Sequence, residues 1–298
     1  MTQSACLLLH RKSCNRDDVV EAVRAVRRTG AELRVRIPWD LDDMDRFIEE
    51  ALDQGIGRVV AGGGDGTLNL IANMLMKPGR ADRASLGVLP LGTANDFARG
   101  AGLPRDDLTA ALDRAISGEA TPIDLGEVNG QFFINVASGG FGAEVTAATP
   151  KDLKAALGGS AYSLMGLVKL MNLKPYSGRL ILPGGSTEDV STLVVAIGNN
   201  RFAGGGFDVA PKADMTDGLL DLAAVSPAGL GDLAKLANEI ADPFNPDNSV
   251  LRYRQLAAFR LEADQTLHLN LDGDPIEGRN FDVSVRPRAL GVVLGGRH

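Results

Sequence analysis

With 298 residues, 44% of them hydrophobic, the chain is long enough to bury two cores, and its net charge of −7 with no basic run excludes nucleic acid as its main partner. Cys6 and Cys14, its only cysteines, cannot build a disulfide framework and point to a reducing compartment, the cytoplasm. A polar start without a basic n-region or apolar h-region, and no stretch near ~18 apolar residues, argue against a signal peptide and a spanning helix.

In chain order, residues 5–9 form an apolar run that predicts a buried strand. A helix follows, with Val19, Val20, Val23 and Val26 on one face and Gly30 at its end. Leu33, Val35 and Ile37 alternate with charged residues as in a half-buried strand, and residues 41–52 predict a second helix closed by Gly55. A strand at 58–61 then runs into Gly62, Gly63, Gly64, Asp65, Gly66, Thr67, Leu68 and Asn69. Strand, helix, strand, helix, strand, loop, helix is the order of a parallel α/β sheet, whose ligands bind beyond the carboxyl ends of the strands.

Four glycines there let a ligand approach bare N–H groups beside a helix N-terminus, and phosphate suits such a loop best. It is not a Walker loop, because no Gly-Lys-Ser/Thr closes it. Nor does G-x-G-x-x-G fit, since counting from Gly62 lands on Thr67 and from Gly64 on Asn69. Asp65 cannot neutralise phosphate, so it either holds a divalent cation or orders the loop by local hydrogen bonds. The strand at 86–89 ends in a second polar turn, Pro90-Leu91-Gly92-Thr93-Ala94-Asn95-Asp96-Phe97, and brings Thr93 and Asn95 to the same crevice. Asn95 and Asp96 are equally candidates to cap the short helical turn that follows.

After a helix at 106–116 strands dominate. Residues 123–128 and 132–137 flank Asn129-Gly130, a strong hairpin signal; 176–182 and 192–197 flank a Pro-Gly-Gly turn. Further strands are predicted at 219–225, 253–261, 266–271 and 281–285, with helical insertions at 153–157, 162–171 and 230–240. The result is an N-terminal parallel α/β nucleotide-binding domain (1–124) and a C-terminal antiparallel β-sandwich (125–298), whose last strand, at 290–294, is free to return to the first domain.

The motifs GGGDGTLN at 62–69 and LPLGTANDFA at 89–98 together resemble the diacylglycerol-kinase-like catalytic domain of lipid kinases. FINVASGGFGAEVT from Phe133, LKAALG from Leu153, the glycines after Ala203, DGLLDL from Asp217 and LDGDP from Leu271 extend the resemblance to the YegS-like bacterial members. The resemblance implies ATP as donor, magnesium (or calcium in its place), and a membrane lipid hydroxyl as acceptor. It places the nucleotide on Gly64, Asp65, Gly66, Thr67, Leu68, Asn69 and Thr93, and a metal on Asp214, Asp217 and Leu219. The proton acceptor falls on Asp274, where the family carries glutamate. Leu70 and Pro38 depart from polar family positions.

On this reading Gly62 to Gly66 cradle phosphates, Asp65 serves magnesium, and Asp274 takes the hydroxyl proton. Without the resemblance, Asp274 reads as part of a solvated Asp-Gly-Asp-Pro turn. Residues 151–174, with Lys151, Lys154, Lys169 and Lys174 beside apolar side chains, suit transient docking on anionic headgroups or, equally, a helix covering the sandwich core. The rival functions are an NAD or sugar kinase sharing the GGDG loop, and a nucleotide-binding regulator without turnover. His10, His268 and His298 form no triad or zinc motif.

Overall fold

The computed structural model describes residues 4–140, 175–227 and 233–296. The chain divides into two units, one of residues up to Asp124 together with those from Arg288, the other Leu125–Pro287. The predicted helices at 153–157 and 162–171, the LKAALG motif and the lysine-bearing stretch 151–174 lie outside the described residues.

In the first unit the strands β1 (Ser4–Leu9), β2 (Glu32–Arg36), β3 (Arg58–Gly63) and β4 (Ser85–Pro90) pair in parallel in the order β4-β3-β1-β2. Between them run α1 (Asp17–Arg28), α2 (Leu41–Asp53) and α3 (Asp65–Leu75), followed by α4 (Asp96–Gly100) and α5 (Leu108–Ser117). The apolar stripe of α1, Val19, Ala22, Val23 and Val26, packs with Ala111, Leu112, Ala115 and Ile116 of α5 over Ala5, Leu7 and Leu9 of β1. Asp40 caps α2 by accepting from the Asp43 N–H at 2.8 Å, and Asp107 caps α5 from Ala110 at 2.9 Å.

The second unit holds β5 (Ala120–Val128, entering from the first unit), β6 (Gln131–Phe133), β7 (Val136–Gly139), β8 (Tyr176–Ile181) and β9 (Thr187–Thr192). It continues with β10 (Val194–Gly198), β11 (Phe202–Ala203), β12 (Phe207–Asp208), β13 (Leu220–Val225), α6 (Leu233–Ala241), β14 (Leu251–Leu256), β15 (Ala258–Leu271) and β16 (Asp274–Val293). The main path is antiparallel, β14-β13-β10-β7-β15-β16. Strand β10 is buried on both faces: Val195 and Ile197 join the core of Phe133, Phe259 and Phe281, while Val194 and Ala196 face Leu236 and Ile240 of α6. The end of β16 belongs to the first unit, where Gly291 and Val292 pair in parallel with Ser85 and Leu86 of β4.

Several strands differ from expectation for physical reasons. The partner of β8 is the polar strand β9, Thr187–Thr192, rather than residues 192–197; β9 is half-exposed and carries no apolar run to announce it. The predicted strand 253–261 breaks at Ala257 into β14 and β15, and its second part continues through 266–271 across an irregularity between Glu262 and Leu267. The predicted run 132–137 splits into β6 and β7 because Ile134, Asn135 and Val136 turn their N–H groups onto the Asp272 carboxylate, at 2.7, 2.9 and 2.8 Å. Asp272 lies with Gly273 in the two-residue turn joining β15 to β16, both at positive φ (53° and 111°), with Leu271 paired to Asp274 across it.

Three N–H donors on one carboxylate make Asp272 a structural anchor. Asp272→Ala removes the acceptor and places alanine in the left-handed region, so it is expected to lower stability by about 2–4 kcal/mol in urea unfolding. Asp272→Asn keeps one carbonyl oxygen and tolerates the positive φ, so it should lose roughly half as much. Equal stability of the alanine variant and the wild type would contradict the anchor.

Candidate active site

Strand β3 extends through Gly62 and Gly63, paired with Leu89 and Pro90 of β4, and α3 starts at Asp65. Only Gly64 stands between strand and helix. None of Gly62, Gly63, Gly64 and Gly66 takes a positive φ, and the first three answer to crowding. A Cβ on Gly62 would come within 2.9 Å of the Leu7 side chain, and one on Gly63 within 2.5 Å of Thr67 Oγ1. A Cβ on Gly92 would come within 2.6 Å of the Gly64 Cα. The βα turns after β3 and β4 therefore touch backbone to backbone, a contact that the sequence reading missed at Gly92.

Asp65 fastens that contact. Its two carboxylate oxygens accept from the N–H groups of Asp96 at 3.1 Å and Phe97 at 3.0 Å, the first residues of α4. Of the two roles open to Asp65 from sequence, loop ordering is the one these bonds perform. The cap of α4 comes from Asp65, whereas Asn95, at the N-cap position with φ 52°, places no side chain over the helix. Asn95 instead clasps the Gly92 peptide, accepting from its N–H at 2.9 Å and donating to its carbonyl at 3.0 Å. Both polar ends of the Asn95 side chain are thus used inside the loop.

With Gly64 as N-cap, no side chain of the described residues caps the first-turn N–H groups of α3. The exposed Gly66 and half-exposed Thr67 sit on that turn, and exposed Thr93 sits on the facing loop. Leu68 is buried, so only its backbone can serve a ligand. Asn69 is fully buried; its Oδ1 accepts from Asn73 Nδ2 at 3.2 Å, and its own amide nitrogen has no partner among the described residues. An open helix N-terminus beside two close-packed glycine turns suits an anion.

In the second unit Asp274 lies beyond the turn, as the first residue of β16, and is exposed. The turn conformation rests on Asp272 and Gly273, so the Asp274 side chain is not required by it. Among the described residues no hydrogen bond or ion pair engages the Asp274 side chain. Asp214 accepts from the Thr216 N–H at 3.0 Å and its hydroxyl at 2.6 Å, and Asp217 accepts from the Leu219 N–H at 2.9 Å. Beyond them Asp221, which accepts from Tyr253 Oη at 2.6 Å, is pushed up to about 6 by burial, with the charges of Asp217 and Asp214 adding to the effect. Among the described residues no three His, Cys, Asp or Glu side chains converge as a metal ligand set. Asp214, Asp217 and the Leu219 carbonyl are nevertheless hard oxygen donors in one turn, the chemistry that magnesium and calcium take.

Residues 4–128 match the diacylglycerol kinase catalytic domain, and residues 135–294 match the YegS C-terminal NAD kinase beta sandwich-like domain. A probable lipid kinase YegS-like of Chromohalobacter salexigens is 43% identical over 95% of this chain and 91% of its own length. One from Pseudomonas aeruginosa is 44% identical over 97% and 93%. A crystal structure of a putative diacylglycerol kinase from Bacillus anthracis shares the fold at a TM-score of 0.78 and 19% identity, over 98% of this chain and 95% of that one. With both domains matched in order and relatives similar along almost its entire length, the chain belongs to the YegS-like lipid kinase family.

Proposed function

We propose that this protein is a lipid kinase, transferring the γ-phosphoryl group of ATP to a membrane lipid hydroxyl. The observation that carries the reading is the uncapped N-terminus of α3 at Gly64, pressed against Gly92 and braced by Asp65. Phosphoryl transfer asks a protein chiefly to position its reactants and stabilise charge. The first-turn N–H groups of α3 bind phosphate oxygens, with Thr67 and Thr93 hydroxyls at hand. Asp65 acts by positioning: it holds the turn after β4 against the turn after β3. Asp274 carries a carboxylate free of other partners among the described residues and receives the proton of the acceptor hydroxyl.

Asp214, Asp217 and the Leu219 carbonyl are the residues that would hold magnesium, or calcium in its place. A bound cation there would neutralise charge that Asp214 and Asp217 concentrate in the turn before β13, close to Asp221. No helix of the described residues is long and apolar enough to cross a membrane, so a lipid acceptor is met by peripheral contact. The cytoplasm, where ATP is abundant and thiols stay reduced, is the compartment that fits.

The reading is tested by incubating the protein with labelled ATP and extracted lipids, with NAD and fructose 6-phosphate as competing acceptors. Label in a lipid product alone is the expected result; label in NAD or the sugar would overturn it.

Two sets of variants test the assigned roles. Asp65→Asn keeps one acceptor oxygen and turns an NH₂ group toward the N–H of Asp96 or Phe97. It should lower stability by about 1–2 kcal/mol and cut kcat well beyond what the lost stability explains. Full activity in the folded variant would remove Asp65 from the site.

For Asp274, the asparagine variant should bind ATP as the wild type does, while its lipid phosphorylation falls by a factor on the order of 10²–10⁴. Asp274→Glu keeps a carboxylate and should retain activity well above the asparagine variant. Because the turn rests on Asp272 and Gly273, both variants should melt near the wild type. Equal activity of asparagine and wild type would show that the carboxylate is not the proton acceptor.

A further inference from the structure

Beyond the glycine turns, the carboxyl ends of β1 and β2 border an open cavity of about 440 Å³ lined by Arg11, Lys12, Cys14, Ile37 and Trp39. Trp39 is the only tryptophan of the chain and is 78% exposed, the most exposed large hydrophobic side chain among the described residues. Such exposure on a loose tip would mean little, but this backbone is fastened. The Trp39 N–H donates to Asp43 at 3.2 Å while Asp43 donates its own N–H to Asp40 at 2.8 Å, so the residue is held at the entry to α2. Across the cavity the single turn Arg11–Ser13 is fixed by the Lys12 N–H on His10 Nδ1 at 3.2 Å and by Cys14 Sγ on the Arg11 carbonyl at 3.0 Å.

The strand order relates this cavity to the phosphate-binding turn within the same unit. Leu8 of β1 pairs with Arg36 of β2 on one side and with Ala61 of β3 on the other, and the His10 N–H donates to the Gly62 carbonyl at 2.8 Å. Two strand spacings of ~4.8 Å separate the end of β2 from the end of β3, roughly 10 Å in all. A nucleoside whose phosphates rest on α3 spans that interval, and a concave, cation-lined pocket with one aromatic face suits a purine better than a flat surface contact would.

We infer that Trp39 is the stacking platform for the base of the donor nucleotide, with Arg11 and Lys12 placed on its ribose and phosphate side. This rests on the kinase reading above and deepens it. The lining offers no carboxylate, amide or hydroxyl side chain, and Pro38 has no N–H. The base is therefore held by its face, with little reading of its edge, and adenine and guanine nucleotides should bind with similar affinity.

The sole tryptophan is its own probe. Titration with ADP and with GDP should quench indole fluorescence saturably, with dissociation constants within about five-fold of each other, whereas tripolyphosphate should bind without comparable quenching. Trp39→Ala should weaken ADP binding about ten-fold by calorimetry and raise KM for ATP to match, with kcat within two-fold, and Trp39→Phe should restore most of the loss. ADP binding with silent indole emission, or unchanged ADP affinity in Trp39→Ala, would overturn the inference and leave the kinase reading standing. Indole emission that responds to anionic vesicles and not to nucleotide would overturn it in favour of a membrane contact. No binding of any nucleotide by calorimetry would defeat the kinase reading and this inference together.

Discussion

The nucleotide-binding half of this protein depends on two βα turns meeting at van der Waals distance. A Cβ on Gly92 would come within 2.6 Å of the Gly64 Cα and one on Gly64 within 3.1 Å of the Gly92 Cα, and across this contact Asp65 supplies acceptors to the first N–H groups of α4. One carboxylate serves two helices: it lies in the first turn of α3, where negative charge favours the helix dipole, and it caps α4. Because Asp65 is spent on α4, the N–H groups of its own helix stay open. The anion site proposed there would thus be a consequence of the brace.

This arrangement also explains which glycines the motif needs. Glycine is usually read as permission for positive φ, and that reading is right at Asn129-Gly130 and Asp272-Gly273, where two-residue hairpin turns demand it. It is wrong at Gly62, Gly63 and Gly64, where φ stays negative and the missing Cβ makes room for Leu7, Thr67 and the facing turn. A sequence shows a glycine in both cases and cannot show which neighbour would collide with a Cβ.

The parallel order of β1 to β4 and the helices between them were legible because each element carries its own periodicity and its own stop signal. The hairpin at Asn129-Gly130 was legible for the same reason. Less could be read where the signal lies in a partner distant in sequence. Asp65 acts on N–H groups 31 and 32 residues away, and Asp272 on N–H groups 136 to 138 residues away. Nothing local distinguishes such a carboxylate from a metal ligand or a catalytic base. Strand β9 failed as a signal for a different reason: an edge strand whose single apolar residue is Val190 satisfies the ladder without an apolar run.

The Asp-Gly-Asp sequence at 272–274 shows how the fold separates two chemically identical groups. Asp272, in the turn, has its carboxylate committed to three backbone N–H groups. Asp274, two residues on, is past the turn, exposed and without such commitments. A base must be free to exchange protons with its surroundings, and a brace must not. The first carboxylate fixes the conformation of the loop that carries the second, and on the proposed reading the identity of the second is then set by reach toward its substrate. An aspartate in place of the family's glutamate is therefore compatible with this turn, since the geometry that a longer side chain would disturb is held by its neighbour.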